Sequence, residues 1–513
     1  MSKKDLTIIH IYYDGNCPMC NVFAETVSKH DKDQILLDAN KETNEKPAST
    51  EELLKEIHLV EIDGTIRTGT DAIFTSLARI YPILKTLSYL VRLPILSWIA
   101  KYIYLFISKR RILWLGGDAA RLYWLFLVTN IGLLAGIILS WPAWDTDRSY
   151  PLTPILSNID WLNSITWWLT TGLFISLILS LVQTKHFRFY ALASLLFLIP
   201  LVLLDITRLQ PWILHYSGLL FLLSFINLYS VLRTSQILDA ARFIVVGIYF
   251  WSGVQKMNTG FVLEVFPWFT KTLWSPFGDV GAMTVLIIGI FVPFIESAFA
   301  LGLLTRRFRF ISIVGSGVML ITVTLSIMIG HGWNSSVWPW NFAIFSMILI
   351  LFYRYEDSTI DLLKRTKKNL LGIFAICIFI ILPLGNFFGI VDHYLSWSLY
   401  SNHVPTATIT ASKETLNQLA SNVTEKNSEV GELTVLHWSI ETMNVVPYPQ
   451  ERVFFNLFNN LCTKYSDPDL MLTITTRPRL FTNNPINTNY DCTLKPRLSD
   501  TDETRMDIKY INK

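Results

Sequence analysis

Tyr13-Asp14-Gly15-Asn16-Cys17-Pro18-Met19-Cys20 follows a strand-like run, Leu6 to Tyr13, and precedes a helix-patterned stretch from Asn21 toward His30. That order predicts Cys17 at a helix N-terminus, where unpaired backbone N–H groups and the helix dipole favour a thiolate. Cys20 is expected one turn further in, within reach to resolve a mixed disulfide. The spacing reads as a thiol–disulfide redox motif, with Asp14 beside it as a candidate pocket residue. The competing reading is half of a zinc site, which ordinarily takes two such pairs. Cys377, Cys462 and Cys492 supply no second pair, so redox chemistry is favoured and no metal site is expected.

The rest of the chain is a different kind of molecule. Of its 513 residues, 51% are hydrophobic and 13% aromatic, and only 16% are charged, against about 25% in a soluble chain. The net charge of +3 is too small to argue for a nucleic-acid partner. Met1 to Asp5 lead directly into a strand, so no signal peptide is expected.

From Leu122 onward, apolar runs long enough to span a bilayer recur, each needing about 20 residues. Nine are read: 122–141, 165–183, 189–207, 212–232, 238–257, 280–303, 310–330, 339–353 and 370–390. Basic residues gather in alternate connections: Lys109 to Arg121, Lys185 and Arg188, Arg233 and Arg242, Arg306 to Arg309, and Lys364 to Lys368. The other loops carry Asp145, Asp147, Asp160, Asp205, Glu264 and Asp279. Cytoplasmic loops collect Lys and Arg, which predicts a cytoplasmic N-terminus and an extracytoplasmic C-terminus. The 89–107 stretch is interrupted by Arg92, Pro94 and Lys101 and reads as an amphipathic helix lying on the membrane.

Residues 391–513 are polar, rich in Asn and Thr, with β-like runs at Leu433–Ser439 and Leu470–Thr475, and predict a small α+β domain. On the oxidising side of a membrane, Cys462 and Cys492 are candidates for a structural disulfide, with two unpaired buried thiols as the alternative.

Several polar residues stand out in or beside the apolar runs. Lys256 ends a span, where a lysine often only snorkels to the interface. Glu296 lies inside a span next to Pro293, either as a proton relay or as a structural partner for Lys256 or a hydroxyl. Asp205 and Arg208 cluster in an outer loop ahead of His215, and His331 and Asn334 lie among Trp333, Trp338 and Trp340. The tryptophans fit interfacial anchors. His215 and His331 are placed near the same leaflet as Lys256, which predicts convergence on one pocket.

The first 112 residues resemble the DCC family of thiol–disulfide oxidoreductase-like proteins. The resemblance rests on Tyr-Asp-Gly-x-Cys-x-x-Cys at 13–20, on Asp63-Gly64, on Gly69-Thr70-Asp71-Ala72-Ile73, on Leu93-Pro94 and on the Tyr104 to Arg111 tail. It implies a thioredoxin-like domain with Cys17 and Cys20 as the reactive pair. No proline precedes a third strand to serve as the usual cis-proline, and Gly69 to Ala72 are expected to fill that space.

Residues 115–400 are similar to the horizontally transferred transmembrane domain shared with vitamin K-dependent gamma-carboxylases. The stretches that carry this are Tyr249-Phe250-Trp251-Ser252-Gly253-Val254-Gln255-Lys256-Met257, continuing to Trp274-Ser275-Pro276-Phe277, and Gly330-His331-Gly332-Trp333-Asn334 with Asn341-Phe342. A third is Leu204-Asp205 leading to His215-Tyr216-Ser217-Gly218. This resemblance implies Lys256 as the base that begins hydroquinone oxygenation, and hence a quinone or hydroquinone as cofactor.

The expected molecule is a multidomain integral membrane protein of a bacterial inner membrane. A cytoplasmic thioredoxin-like α/β domain occupies 1–112, a nine-helix transmembrane bundle 115–390, and an extracytoplasmic α+β domain 391–513. Its expected partners are the lipid bilayer and a thiol or disulfide, carried by a protein or a small thiol. The expected activity is thiol–disulfide exchange; a carboxylase-like modifying enzyme and a non-catalytic redox sensor are the alternatives.

Overall fold

The computed structural model describes residues 9–15, 18–39, 46–82, 84–85, 89, 96–97, 100–102, 117–155, 164–183, 186–225, 231–330, 332–419, 431–477, 485–493 and 496–497. Cys17, His331 and most of the expected 89–107 helix lie outside these residues. The chain divides into two compact units, 1–124 and 125–513.

In the first unit, β1 (Ile9–Tyr13) leads to α1 (Pro18–His30), β2 (Gln34–Asp38), α2 (Thr50–Lys55), β3 (His58–Val60), β4 (Ile66–Thr68) and α3 (Gly69–Ile80). The sheet order is β2-β1-β3-β4, with β1 and β2 parallel and the other pairs antiparallel. A parallel pair needs a crossover, and α1 supplies it. Cys20, Ala24 and Val27, spaced one helical turn apart, are buried on α1. They meet a sheet core of Ile9, Ile11, Ile57 and Leu59. The helix begins at Pro18, earlier than Asn21, because proline suits the first turn, where its missing N–H is not needed. Asp63-Gly64 makes the β3–β4 turn: Gly64 has φ 82°, and the Asp63 carboxylate accepts from the Thr65 N–H at 2.9 Å.

The second unit is built on apolar helices: α4 (Gly117–Leu139, which starts in the first unit), α5 (Thr166–Val182), α6 (Phe187–Leu204), α7 (Pro211–Ser224), α8 (Val231–Gln255), α9 (Gly278–Leu304), α10 (Arg309–Gly330) and α11 (Val337–Phe352). A short α12 (Thr359–Thr366) precedes α13 (Leu370–Ile376). Among the described residues, six stretches are long and apolar enough to cross a membrane: Gly117–Leu139, Phe187–Leu204, Thr234–Gln255, Lys271–Leu304, Arg309–Gly330 and Leu370–Phe388. Three apolar helices, Thr166–Val182, Pro211–Ser224 and Val337–Phe352, are shorter. The run expected at 212–232 is the clearest difference, because α7 ends at Ser224.

α8 is buried on nearly every side, so it lies in the middle of the bundle. Its glycines set its neighbours. A Cβ on Gly253 would stand 2.7 Å from the Pro293 carbonyl oxygen, which lets α8 and α9 touch. A Cβ on Gly247 would stand 2.3 Å from the Phe379 carbonyl oxygen. Beyond α13 the helix passes through a π turn (Cys377–Ile381) into 3-10 turns (Leu382–Phe388). Pro383 cannot continue the ladder, and the Trp251 indole donates to the Ile380 carbonyl at 2.9 Å.

The C-terminal part comprises β5 (Thr406–Thr410), α14 (Lys413–Leu419), β6 (Glu432–Thr434), α15 (Val435–Met443), α16 (Glu451–Lys464), β7 (Met471–Thr476), β8 (Ile486–Asp491) and β9 (Pro496–Arg497). The strands form one antiparallel sheet in the order β6-β5-β7-β8-β9. The run 433–439, expected as a strand, turns helical at Val435. The buried positions Val435, Trp438, Ser439 and Met443 fall on one helical face, and Asn444 ends the helix at φ 55°. Cys462 on α16 is bonded to Cys492, just past β8, across a separation of 30 residues.

This part is docked on the membrane helices. Gln210 donates to the Val446 carbonyl at 2.9 Å, and Asn444 donates to the Leu139 carbonyl at 2.9 Å. Ile206, Tyr394, Ile440, Val446, Tyr448 and Val453 share one apolar cluster.

Candidate functional site

Around the cysteine motif, β1 ends at Tyr13 and the Gly15 N–H donates to the Asp38 carboxylate at 3.0 Å. Asp38 closes β2, the parallel neighbour of β1, so the sheet register brings it to the loop before α1. Gly15 leaves room for this bond, since a Cβ would fall 2.2 Å from an Asp38 oxygen and the carboxylate would have to shift. Sequence reasoning passed over Asp38; its one signal is an acidic residue at the end of an apolar strand. Burial, then the Asp38 carboxylate and Cys20, push the Tyr13 hydroxyl above its ordinary pKa. Cys20 is 5% exposed and packs into the sheet core. The Gly69-Thr70-Asp71 motif opens α3, where the Gly69 N–H donates to the Ile57 carbonyl at 2.9 Å and Asp71 pairs with Arg67 at 2.8 Å.

In the membrane unit, Lys256 and Glu296 meet. The Lys256 ammonium donates to Glu296 Oε1 at 2.9 Å, to Oε2 at 2.8 Å and to Ser252 Oγ at 2.8 Å. Their side chains are 15% and 5% exposed. The geometry follows from close packing: Gly253 brings α8 against α9, and Lys256, one turn on, reaches across to Glu296. Both line a cavity of about 680 Å³. Its wall is otherwise mostly apolar, with Trp340, Asn341, Trp397 and Tyr400 among its residues. Ser326 Oγ, also in the wall, is buried without a hydrogen-bond partner.

His215, Asn334, Asp205 and Arg208 do not line this cavity. His215 is fully buried one layer behind it, accepting from the Trp340 indole N–H at 3.0 Å. Asn334 is likewise one residue removed, donating to the Tyr400 hydroxyl at 2.6 Å. Trp340 is 7% exposed and forms wall rather than an interfacial anchor.

Asp205 and Arg208 belong elsewhere. Asp205 is fully buried, paired with Arg148 and 3.9 Å from Arg208, and accepts from Thr153 Oγ1 at 3.0 Å. Burial opposes its ionisation, but the two guanidiniums outweigh that and hold its carboxyl below the usual range. Burial lowers Arg208 to about 10. Arg208 donates to the Ala143 and Leu201 carbonyls, both at 2.9 Å. The cluster staples the segments around residues 143–153 and 205–208 together. Arg148, Tyr400 and Trp397 carried no chemical motif in the sequence; only their neighbours in space single them out.

A Cys-x-x-Cys sequence whose second cysteine lies in the first turn of α1, beside a small α/β sheet, fits the class of thiol–disulfide exchange domains. Residues 11–117 match the family model of DCC1-like thiol-disulfide oxidoreductases, a match that stops where α4 begins. No curated protein and no solved structure matches the chain.

Proposed function

We propose that the chain is a membrane-bound thiol–disulfide oxidoreductase. The observation that carries this is the DCC1-like match over the segment that holds Cys17 and Cys20. The β2-β1-β3-β4 order with one parallel pair supports a thioredoxin-like domain over 1–112. In the reaction, the Cys17 thiolate attacks one sulfur of a partner disulfide and displaces the other as a thiolate. Cys20, deprotonated, then attacks Cys17 sulfur and releases the second partner thiolate. The partner gains two electrons and two protons, and the domain is left as the Cys17–Cys20 disulfide.

The membrane domain, over 115–390 with nine spans, is a site for a lipid-soluble ligand, a quinone or hydroquinone. The cavity at Lys256 fits such a group: apolar walls, one charged pair, and the partnerless Ser326 hydroxyl. A quinone would supply two-electron redox chemistry there, while Lys256 and Glu296 hold and pass a proton at its oxygen. The 391–513 domain lies outside a bacterial inner membrane, consistent with its disulfide. A second reading is a carboxylase-like enzyme using Lys256 as base on an extracytoplasmic substrate, favoured by the same cavity.

The test uses full-length protein in detergent. Insulin-disulfide reduction and a glutathione titration of Cys17 and Cys20, read by mass spectrometry, are expected to give a potential between about −120 and −270 mV. Cys17→Ser is expected to abolish the reduction. No reversible Cys17–Cys20 disulfide would sink the oxidoreductase reading and shift the weight to Lys256.

A further inference from the structure

Lys256 lines two cavities. The second, about 580 Å³, has no other residue in common with the first. The two open on different faces near the end of α8: Tyr249 and Ser252 face the first, Val254 and Gln255 the second. The second cavity is apolar along one side, where Val262, Leu263, Ile290 and Phe294 line it. Leu263, Ile290 and Phe294 are 55%, 50% and 56% exposed. Ile290 and Phe294 sit on α9, within a stretch of membrane-spanning length, so the mouth faces the depth of the hydrocarbon.

The inner end is polar. Gln255 is 3% exposed, and its Nε2 is buried without a hydrogen-bond partner. A buried amide donor left unpaired carries its full desolvation cost. Lys256 lines the same wall, its ammonium already donated to Glu296 and Ser252 on the side of the first cavity, which leaves the Gln255 amide as the open donor. An apolar slot with exposed apolar residues at its mouth and an unpaired amide donor in its wall fits an acyl chain ending in an acceptor oxygen.

We propose that this second cavity binds a fatty-acyl ligand, whose carbonyl or carboxylate oxygen accepts from the Gln255 amide beside Lys256 while the chain runs out past Leu263 and Phe294. The site is independent of thiol exchange and of any ligand in the first cavity, and Lys256 forms the partition between them.

The test uses full-length protein in lipid nanodiscs and two photoreactive probes: palmitic acid with a diazirine on its chain, and a phosphatidylcholine with the same acyl group. Peptide mapping is expected to find adducts at Val262, Leu263 or Phe294, competed by unlabelled palmitate. Labelling by the free acid alone identifies a carboxylate ligand, and labelling by the phospholipid alone identifies an acyl ester. Val262→Trp, which fills the slot, is expected to cut labelling at least ten-fold. Gln255→Leu, of similar size, is expected to cut it about five-fold and serves if the first variant does not fold. Ile288→Trp, in the first cavity, is expected to leave it unchanged. Labelling that does not saturate, or that is equal at the lipid-facing Phe310 and Ile329, overturns the proposal. So does labelling indifferent to both variants. Cys17→Ser is expected to have no effect, so failure of the redox reading would not imitate failure here.

Discussion

Replacing Lys256 by Met leaves the Glu296 carboxylate, 5% exposed, without its cation. The cost follows from the geometry. Two unit charges about 4 Å apart attract by about 4 kcal/mol at an effective dielectric of about 20. Removing one partner of a buried pair ordinarily costs about 3–5 kcal/mol. Ser252 Oγ, 2.8 Å from the ammonium, also loses its donor. We therefore expect Lys256→Met to destabilise the membrane unit by about 3–5 kcal/mol, and Glu296→Gln by somewhat less, because a neutral amide can remain buried against Ser252 and Lys256. The Lys256→Met/Glu296→Gln double variant is expected to recover at least half the loss, since no uncompensated charge remains. The assay is unfolding in mixed micelles titrated with SDS, followed by tryptophan fluorescence, as a double-mutant cycle. If Lys256→Met costs less than about 1 kcal/mol, or the coupling is under about 0.5 kcal/mol, the ion pair is not what holds these side chains. A snorkelling lysine would behave that way.

Three further outcomes are expected. Gly15→Ala forces a Cβ to 2.2 Å from Asp38 and is expected to destabilise the N-terminal unit by about 1–3 kcal/mol, read as faster limited proteolysis between β1 and α1. Cys462→Ser opens a loop of 30 residues and is expected to destabilise the C-terminal domain by about 3–4 kcal/mol on a loop-entropy estimate, read in its thermal unfolding; no change would place that domain's stability elsewhere. Asp467 is held at about 2; burial opposes this, but bonds from Thr415, Ser412 and backbone N–H groups prevail. A folded value below the unfolded one, about 3.9, means stability present above about pH 4 and lost as the pH falls toward 2. Asp467→Asn is expected to flatten that acid limb in unfolding followed by circular dichroism.

Much of the architecture was readable because its signals are local. A cysteine pair between an apolar strand and a polar helix, and apolar runs of membrane length, need no partner to be recognised. Glu296 also announced itself, since a carboxylate inside an apolar run is expensive enough to need a reason. Misreadings came where local pattern was ambiguous. Val435 to Ser439 has β-branched and aromatic residues that suit a strand, yet packing of Trp438 against Tyr150 and of Ile440 in the cluster around Tyr394 and Tyr448 goes with a helix. The expected 212–232 run is mostly apolar, and Ser224, Asn227 and Ser230 are too scattered to mark that α7 stops at Ser224.

Residue chemistry thus set the presence of the redox motif, the spanning helices and an intramembrane carboxylate, because each depends on neighbours within a few positions along the chain. Which polar groups share a site depended on packing across the fold. Gly253 lets α8 close on α9 and delivers Lys256 to Glu296, 40 residues away. His215 and Asn334 are held one layer back behind Trp340 and Tyr400. Asp205 is taken by Arg148, 57 residues away, in a cluster of its own. Such pairings are settled by helix contacts and by the cost of burying a charge alone, and neither is written in any short stretch of sequence.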